Sequence, residues 1–532
     1  MPVPASLMSR PRFHARTSSP GRCQPHPATV ARLTILHGGE PREPPNAAAM
    51  RRLFFHVFPS IMLPVFLSAL DQTIVSTALP AIAGALGNVE QISWIVVAYL
   101  LANTIAAPIY GRLGDALGRK RMLYVALAIL MTGSLIGAAA PNLWVLVLAR
   151  VLQGLGGGGL MTLSQALIGE AVPPRQRGRY QGYLATTFVT ASTFGPVVGG
   201  YLTEHLGWRA VLLVNIPLGL LSMLLAIRLK SQYQGGGRFS FDIWGTVFFA
   251  LTIVPGLIAL EQARKLDAHA LPLILLLLVI AAVSLFVLIR QERRAPTPLL
   301  PVNLLRDPTI LRSDLMALCL AGAVVSMITF LPLYLQVARG VSPSDTGMMM
   351  LPLTAGIGVG SIFTGRMIAR TGRTAIWPSL GLAISVAMLV FLAILAPQLP
   401  VSVLPWAFAA ISMSFGTGMP VVQITVQTMA GPTSLAAAAA SVQISRSVGA
   451  AFATAVVGTI LFAVLAAKDA QTAAMFTELI QHGPPILANL DQVRREAVQT
   501  EIAEAFQAAF LTIAGFATAA LLLAWSIPVR RL

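Results

Sequence analysis

The chain has 532 residues, 56% hydrophobic and 11% charged. A soluble domain carries roughly 25% charged residues, so the composition excludes an ordinary soluble enzyme and indicates a membrane protein. The net charge of +17 would suit nucleic acid if the cations clustered on a soluble face, but they fall in short strings between long apolar runs. Cys23 and Cys319 stand far apart, which leaves no disulfide framework, Cys-based zinc site or redox pair.

Residues 1–49 are rich in Pro and Arg and lack the apolar run of a secretory signal. They are expected to form a disordered tail, and MRRLFF at Met50 offers an alternative start with a basic flank before the first span. Fourteen segments then follow that can cross about 30 Å of hydrocarbon, at roughly 17–25 residues each. Their cores are 54–79, 92–111, 122–140, 143–168, 180–202, 208–228, 243–261, 270–289, 313–338, 347–368, 376–396, 402–425, 440–466 and 506–528.

An even number of spans puts both termini on one side. If Arg51 and Arg52 are cytoplasmic, so are Arg112, Arg119, Lys120, Arg121, Arg175, Arg177, Arg179, Arg228, Lys230, Arg238, the string from Arg290 to Arg312, Arg366, Arg370, Arg373, Arg530 and Arg531. The other side receives Arg209, Arg264, Lys265, Arg339, Lys468, Arg494 and Arg495. This asymmetry favours cytoplasmic termini. The polar 467–505 stretch reads as an external loop with room for an amphipathic helix. Arg150 and Arg446 are the cations that fall well inside spans.

Within the fourth span, LARVLQGLGGGGLMTLSQALIGE places Gly154, Gly156 and Gly159 in the G-x-G-x-x-G spacing of a dinucleotide loop. That fingerprint needs a preceding strand and an acidic residue about 20 positions on. Here the glycines lie inside an apolar run, and the next acid, Glu170, comes too early. On a helix, Arg150, Gln153, Gly154, Gly157 and Gly158 share one face, so the glycines are expected to let a neighbouring helix approach closely. A cation on that face costs about 2.5–3.5 kcal/mol at mid-membrane and therefore needs a cavity or a partner, which the sequence does not name.

Four motifs in chain order resemble those of the major facilitator superfamily. LDQTIVSTALP, residues 70–80, is similar to the first-helix motif of its fourteen-helix drug:proton antiporters. GRLGDALGRKRML matches the loop between helices 2 and 3 at Gly111, Leu113, Asp115, Gly118, Arg119 and Lys120. LVLARVLQGLGGG matches the fourth-helix motif at Leu146, Arg150, Gln153, Gly154 and Gly156. GYLATTFVTASTFGPVVGG resembles the fifth-helix antiporter motif at Gly182, Gly195, Pro196, Gly199 and Gly200, with Ala191 where the pattern prefers glycine.

The resemblance implies an all-α integral membrane protein of fourteen transmembrane helices, as two six-helix halves (50–230 and 312–532) with two inserted helices and a linker between them (231–311). An internal repeat agrees: GRLGDALGRK at Gly111 aligns with GRMIARTGRT at Gly365, with Ala369 in the place of Asp115. The second copy is therefore expected to lock less well than the first.

Asp71 lies about 28 Å along a helix from Arg52 at 1.5 Å per residue, in the outer half of the membrane. It reads either as a proton site or cation contact in a central cavity, or as a structural hydrogen bond between helices 1 and 5 shared with Gln72 and Thr73. The resemblance implicates Arg150 in proton transfer. It also implies an inner gate of Gly111, Asp115, Gly118, Arg119 and Lys120, with Asp115 meeting a helix N-terminus or an arginine when the protein faces outward. Gly195, Pro196, Gly199 and Gly200 serve either close packing or a block to proton leak. Gln443 and Arg446 offer a polar face for the cavity.

His56, His205, His269 and His482 are scattered, so no metal site is expected, and no cofactor or nucleophile–base pair is found. Met348 to Met350 read as core or lipid contacts. The expected protein is a proton-driven exporter of lipophilic, often cationic, drugs in the cell's inner membrane. Its expected partners are small substrates, protons and lipid, not nucleic acid, with a periplasmic adaptor where the cell has an outer membrane. A dedicated exporter of one metabolite, lipid or siderophore is the nearest alternative. A non-transporting membrane sensor has less reason to keep Asp71, Arg150 and Asp115.

Overall fold

The computed structural model describes residues 58–86, 91, 94–229, 241–263, 270–295, 298–299, 302–469, 471–473, 475–476 and 491–528. The expectations for the tail 1–49 lie outside these residues. The described chain is helical throughout its regular structure.

The first half contains α1 (Phe58–Ile74, continued by a 3-10 turn at Val75–Ala78), α2 (Trp94–Leu117), α3 (Arg119–Ala138), α4 (Leu143–Ala171), α5 (Pro174–Leu206) and α6 (Trp208–Leu213 and Asn215–Ala226). Two further helices follow, α7 (Ile243–Ala263) and α8 (Leu271–Arg294). The second half contains α9 (Pro308–Leu333), α10 (Pro343–Thr371), α11 (Ile376–Leu395), α12 (Leu404–Gly416 and Gly418–Ala430), α13 (Leu435–Lys468) and α14 (Gln492–Ser526). All fourteen expected spans are present as helices.

Local chemistry sets the boundaries. The Asn142 side chain accepts the Val145 N–H at 3.0 Å and starts α4. Asp307 accepts the Thr309 N–H at 2.7 Å, with Pro308 at the first position of α9. Gly118, at φ 98°, makes the turn between α2 and α3 that a Cβ would oppose.

Among the described residues, thirteen segments are apolar enough to cross a membrane by composition, and α5 is not among them. Its polarity is absorbed locally: Thr186, Thr187, Thr193 and Thr203 each donate to the carbonyl four residues earlier in their own helix.

Within the polar stretch that leaves room for an amphipathic helix, residues 492–505 are helical and continuous with the last span as the first turns of α14. Val498, Ile502, Ala505 and Phe506 are fully buried in the second half's core, and this helical spacing continues the apolar stripe inward.

Within the first half α2 and α3 pack on α4, and α1 packs on α5. Within the second, α9 packs on α13 and α14, and α10 on α12. The halves meet along two seams, α2 against α13 and α10 against α5. The pair α7 and α8 packs mainly on itself and touches α2 and α13 through Phe249, Ile253 and Leu288, which meet Ile109, Ile444 and Val448.

Candidate functional site: a buried ion pair, a central cavity and a closed basic end

The glycines of α4 let three helices come together. A Cβ on Gly154 would lie 2.4 Å from the Tyr99 carbonyl oxygen, and one on Gly158 2.2 Å from that of Asn103, both on α2. Gly156 approaches α3 in the same way, 2.7 Å from the Ala126 oxygen. These glycines are helix contacts, as expected.

The close approach seals a polar cluster. Arg150 donates to Asp71 Oδ2 at 3.0 Å, to Gln153 Oε1 at 3.0 Å and to the Ile95 carbonyl at 3.3 Å. Gln153 Nε2 donates to Asp71 Oδ1 at 3.0 Å and to Ser134 Oγ at 2.8 Å, and Asn215 of α6 donates to the same two oxygens. The guanidinium lies 4.3 Å from the centre of the Tyr99 ring. Asp71 and Gln153 are wholly buried and Arg150 is 1% exposed. Removing one member of such a pair leaves a bare buried charge, at a cost of about 3–5 kcal/mol.

A cavity of about 480 Å³ lies between the halves, lined by residues of α1, α2, α4, α5, α7, α9, α10, α12 and α13. Its wall is mostly apolar, with polar groups from Ser68, Gln72, Asn103, Gln165, Gln181, Gln423, Gln443 and Arg446. Arg446 and Gln443 line it as anticipated. Asp71, Arg150 and Gln153 are not among its lining residues in this conformation. Ser68 and Tyr99 separate the pair from the cavity: Tyr99 donates to the Ser68 carbonyl at 3.1 Å, and Ser68 Oγ to that of Gly157 at 3.0 Å. The proposed bond between helices 1 and 5 is also absent, because Thr73 donates within α1 to Ala69 and Leu70. Instead Gly195 and Gly199 admit Thr73, Ile74 and Thr77 as steric neighbours, whereas Gly200 faces open space. Pro196 is held within a continuous α5.

At the end of the bundle where the basic strings gather, the halves close on each other. Asp115 accepts the N–H groups of Ala436 and Ala437 in the first turn of α13, at 3.3 and 3.1 Å, where the helix dipole favours an anion. Arg119 donates to Asp115 at 2.8 Å and to Glu170 at 2.7 Å. Gln427 Nε2 donates to the Gln165 carbonyl at 3.0 Å. Lys120 donates to the carbonyls of Ile227 and Leu229 just beyond α6, and Gly111 lies under Ala436 and Ala440. At the opposite end Phe194, Val197 and Tyr201 of α5 and Met348 and Leu351 of α10 are exposed. The two seams are therefore tight at the basic end, and α5 and α10 expose apolar side chains toward the other.

Sequence reasoning missed several groups. Asp314, in the first turns of α9, is 4% exposed, with Ser441 of α13 as the polar side chain set against it. Asn215 gave no signal because it completes the Asp71 cluster from a distant helix. Gln165, Gln181 and Gln423 lie on three different helices, and only the fold places them on one cavity.

Fourteen helices in two packed sixes with a cavity between them define a membrane transporter architecture. Residues 61–454 match the Major Facilitator Superfamily, and the chain belongs to that family. It is 30% identical over 505 residues to an uncharacterised MFS-type transporter of Mycobacterium tuberculosis (strain ATCC 25618 / H37Rv), covering 94% of this chain and 72% of the relative. It is 31% identical over 403 residues to the multidrug transporter protein MdtP of Bacillus subtilis (strain 168), covering 75% of this chain and 74% of the relative. Among solved structures it resembles the human organic anion transporter MFSD10, with a TM-score of 0.61 at 14% identity over 88% of this chain and 99% of the other. The proton:xylose symporter XylE gives a TM-score of 0.58 at 14% identity, over 90% and 96%. These two likenesses concern the fold.

Proposed function

We propose that the protein is a proton-driven exporter of lipophilic small molecules, working by alternating access in the cytoplasmic membrane with both termini inside. The observation that carries this reading is the sealed Asp71–Arg150 pair, one thin layer behind a cavity shared by both halves. Structural packing alone gives no reason to keep two charges at that depth.

The basic end is cytoplasmic on this reading, so the conformation faces outward. A proton reaching Asp71 removes its charge and leaves Arg150 without a counter-ion. The bare guanidinium then disfavours the present packing of α1 on α4, which couples protonation to movement of the halves. Gln153 orients both members, and a guanidinium that stays charged acts here by tuning its neighbour rather than by carrying the proton. Gly111, Asp115, Gly118, Arg119 and Lys120 form the inner gate, which releases α13 when the cavity turns inward. Within the segment Gly195, Pro196, Gly199 and Gly200, the glycines Gly195 and Gly199 serve to keep α5 tight on α1, limiting proton leak beside the pair.

Relatives named as a multidrug transporter and a multidrug resistance protein favour more than one lipophilic substrate. The expectation of cationic drugs has less support, since no Asp or Glu is among the described residues of the cavity wall. The test is transport of a fluorescent panel by the purified chain in proteoliposomes with and without an imposed pH gradient. Gradient-dependent accumulation of at least one compound is expected. No movement of any compound under any gradient overturns the reading.

A further inference from the structure

The cavity wall has a charge bias. Arg446 is the one charged side chain among the described residues of its wall. Among the described residues the arginine has no carboxylate partner: its side chain donates to Gln443 Oε1 at 3.5 Å, and its Nε is buried without an acceptor. This differs from Arg150, whose guanidinium meets a carboxylate, an amide oxygen and two carbonyls. A cation inside a membrane bundle ordinarily pairs with an acid or a backbone carbonyl, and among the described residues Arg446 meets only the side-chain amide of Gln443.

The rest of the wall points the same way. Gln181 on α5 and Gln423 on α12 each leave a buried amide nitrogen without an acceptor. With Arg446 on α13, hydrogen-bonding side chains from three helices and both halves line one cavity. Among the described residues, the buried acids of the spans are engaged or placed elsewhere. Asp71 is held by Arg150, Asp115 by α13 and Arg119, and Asp314 is not on the cavity wall.

We infer that this cavity binds amphipathic organic anions, with Arg446 taking the carboxylate or sulfonate and Gln181 and Gln423 donating to its remaining oxygens. Guanidinium matches the fork of a carboxylate better than ammonium does, and the apolar remainder of the wall, including Phe188 and Phe415, takes the hydrocarbon body. The inference rests on the exporter reading and adds the charge of the substrate. It also fits the energetics of export. An anion leaving and a proton entering both carry positive charge inward, so an inside-negative membrane potential drives each leg.

The test uses the full chain in proteoliposomes and a matched set of fluorescent naphthalene compounds ending in a carboxylate, a primary amide or a quaternary ammonium. Initial rates are compared at one imposed pH gradient for wild type, Arg446→Gln and Arg446→Lys, with the folding of each variant checked by gel filtration. Wild type should move the carboxylate at least about tenfold faster than the ammonium compound, the factor that one charge-assisted hydrogen bond supplies. Arg446→Gln should lower the carboxylate-to-amide rate ratio by about the same factor, and Arg446→Lys should restore part of it. Wild type moving the ammonium compound as fast as the carboxylate, or an unchanged ratio in Arg446→Gln, overturns the anion inference and leaves the exporter reading standing. Movement of none of the three by wild type overturns both.

Discussion

The two seams between the halves hold equivalent places in the repeat and are fastened differently. On the first, Gly111 of α2 lies against α13, where an added Cβ would be 2.9 Å from the Ala436 oxygen. One turn on, Asp115 takes two N–H groups from the start of α13 and a guanidinium from Arg119. On the second, Gly365 of α10 lies against Gly178 of α5, where an added Cβ would be 2.0 Å from the Gly178 oxygen. Ala369 stands in the place of Asp115 there, and Arg366, Arg370 and Arg373 are exposed. Both seams keep the close backbone approach, and only the first adds a charged latch. A contact between backbones yields only if the backbones move, whereas one made by a carboxylate can be released by changing a charge.

Gly365→Leu should break the comparison most severely, because a side chain at 2.0 Å from a backbone oxygen forces the helices apart. Overpacking typically costs about 1–3 kcal/mol, and transport should fall by about tenfold or more, in step with a lowered melting temperature in detergent. Asp115→Asn should act on the latch alone. Losing charge-assisted hydrogen bonds of about 1.5–3 kcal/mol should widen the distance between spin labels at Leu117→Cys and Thr433→Cys across the basic end while the melting temperature stays nearly constant. An unchanged distance distribution would remove the latch from the account.

Ala369→Asp probes the other seam from the opposite direction. The N–H groups of Gln176 and Arg177 at the start of α5 are already taken by the Pro173 carbonyl, so the new carboxylate finds no waiting donors. The same label distance should move little, and a strong narrowing would show that sequence symmetry alone can build a second latch. The smallest effect belongs to the external surface. Hydrogen bonds, first from Arg494 and then from the Gln471 N–H, hold the Asp469 carboxyl down at about 2. A depressed carboxylate lends its stability above its ordinary range and loses it as the pH falls toward the folded value. Amide-exchange protection, corrected for the intrinsic rate, at residues 471 and 472 should therefore stay flat between about pH 5 and 8, roughly the usual stability plateau, and fall only in strong acid.

Much of the fold was legible in the sequence. Spans follow from apolar run length, and the close contacts of Gly154, Gly158 and Gly111 follow from small residues at helical spacing. The start of α14 was not, because its stripe of Val498, Ile502 and Phe506 is carried by period while charges such as Arg494 and Glu504 lower its average hydropathy. The partner of Arg150 was hidden for another reason. Asp71 is 79 positions away, and nothing in one sequence ties two distant spans together. Cations read as topology markers turn out to have structural work as well: Arg177 donates to the Val172 carbonyl at the end of α4, and Arg339 to the Leu399 carbonyl beyond α11. Asp314 escaped notice because its burial depends on the neighbouring helices rather than on its own segment.

The most direct test of the account is proton movement in proteoliposomes filled with a pH-sensitive dye, comparing wild type with Asp71→Asn. Adding substrate to wild type should move protons against substrate, while Asp71→Asn should exchange labelled for unlabelled substrate yet move no protons and accumulate nothing under a gradient. Full proton coupling in Asp71→Asn, or substrate movement by wild type with no proton response, would contradict the claim that the sealed Asp71–Arg150 pair couples the two.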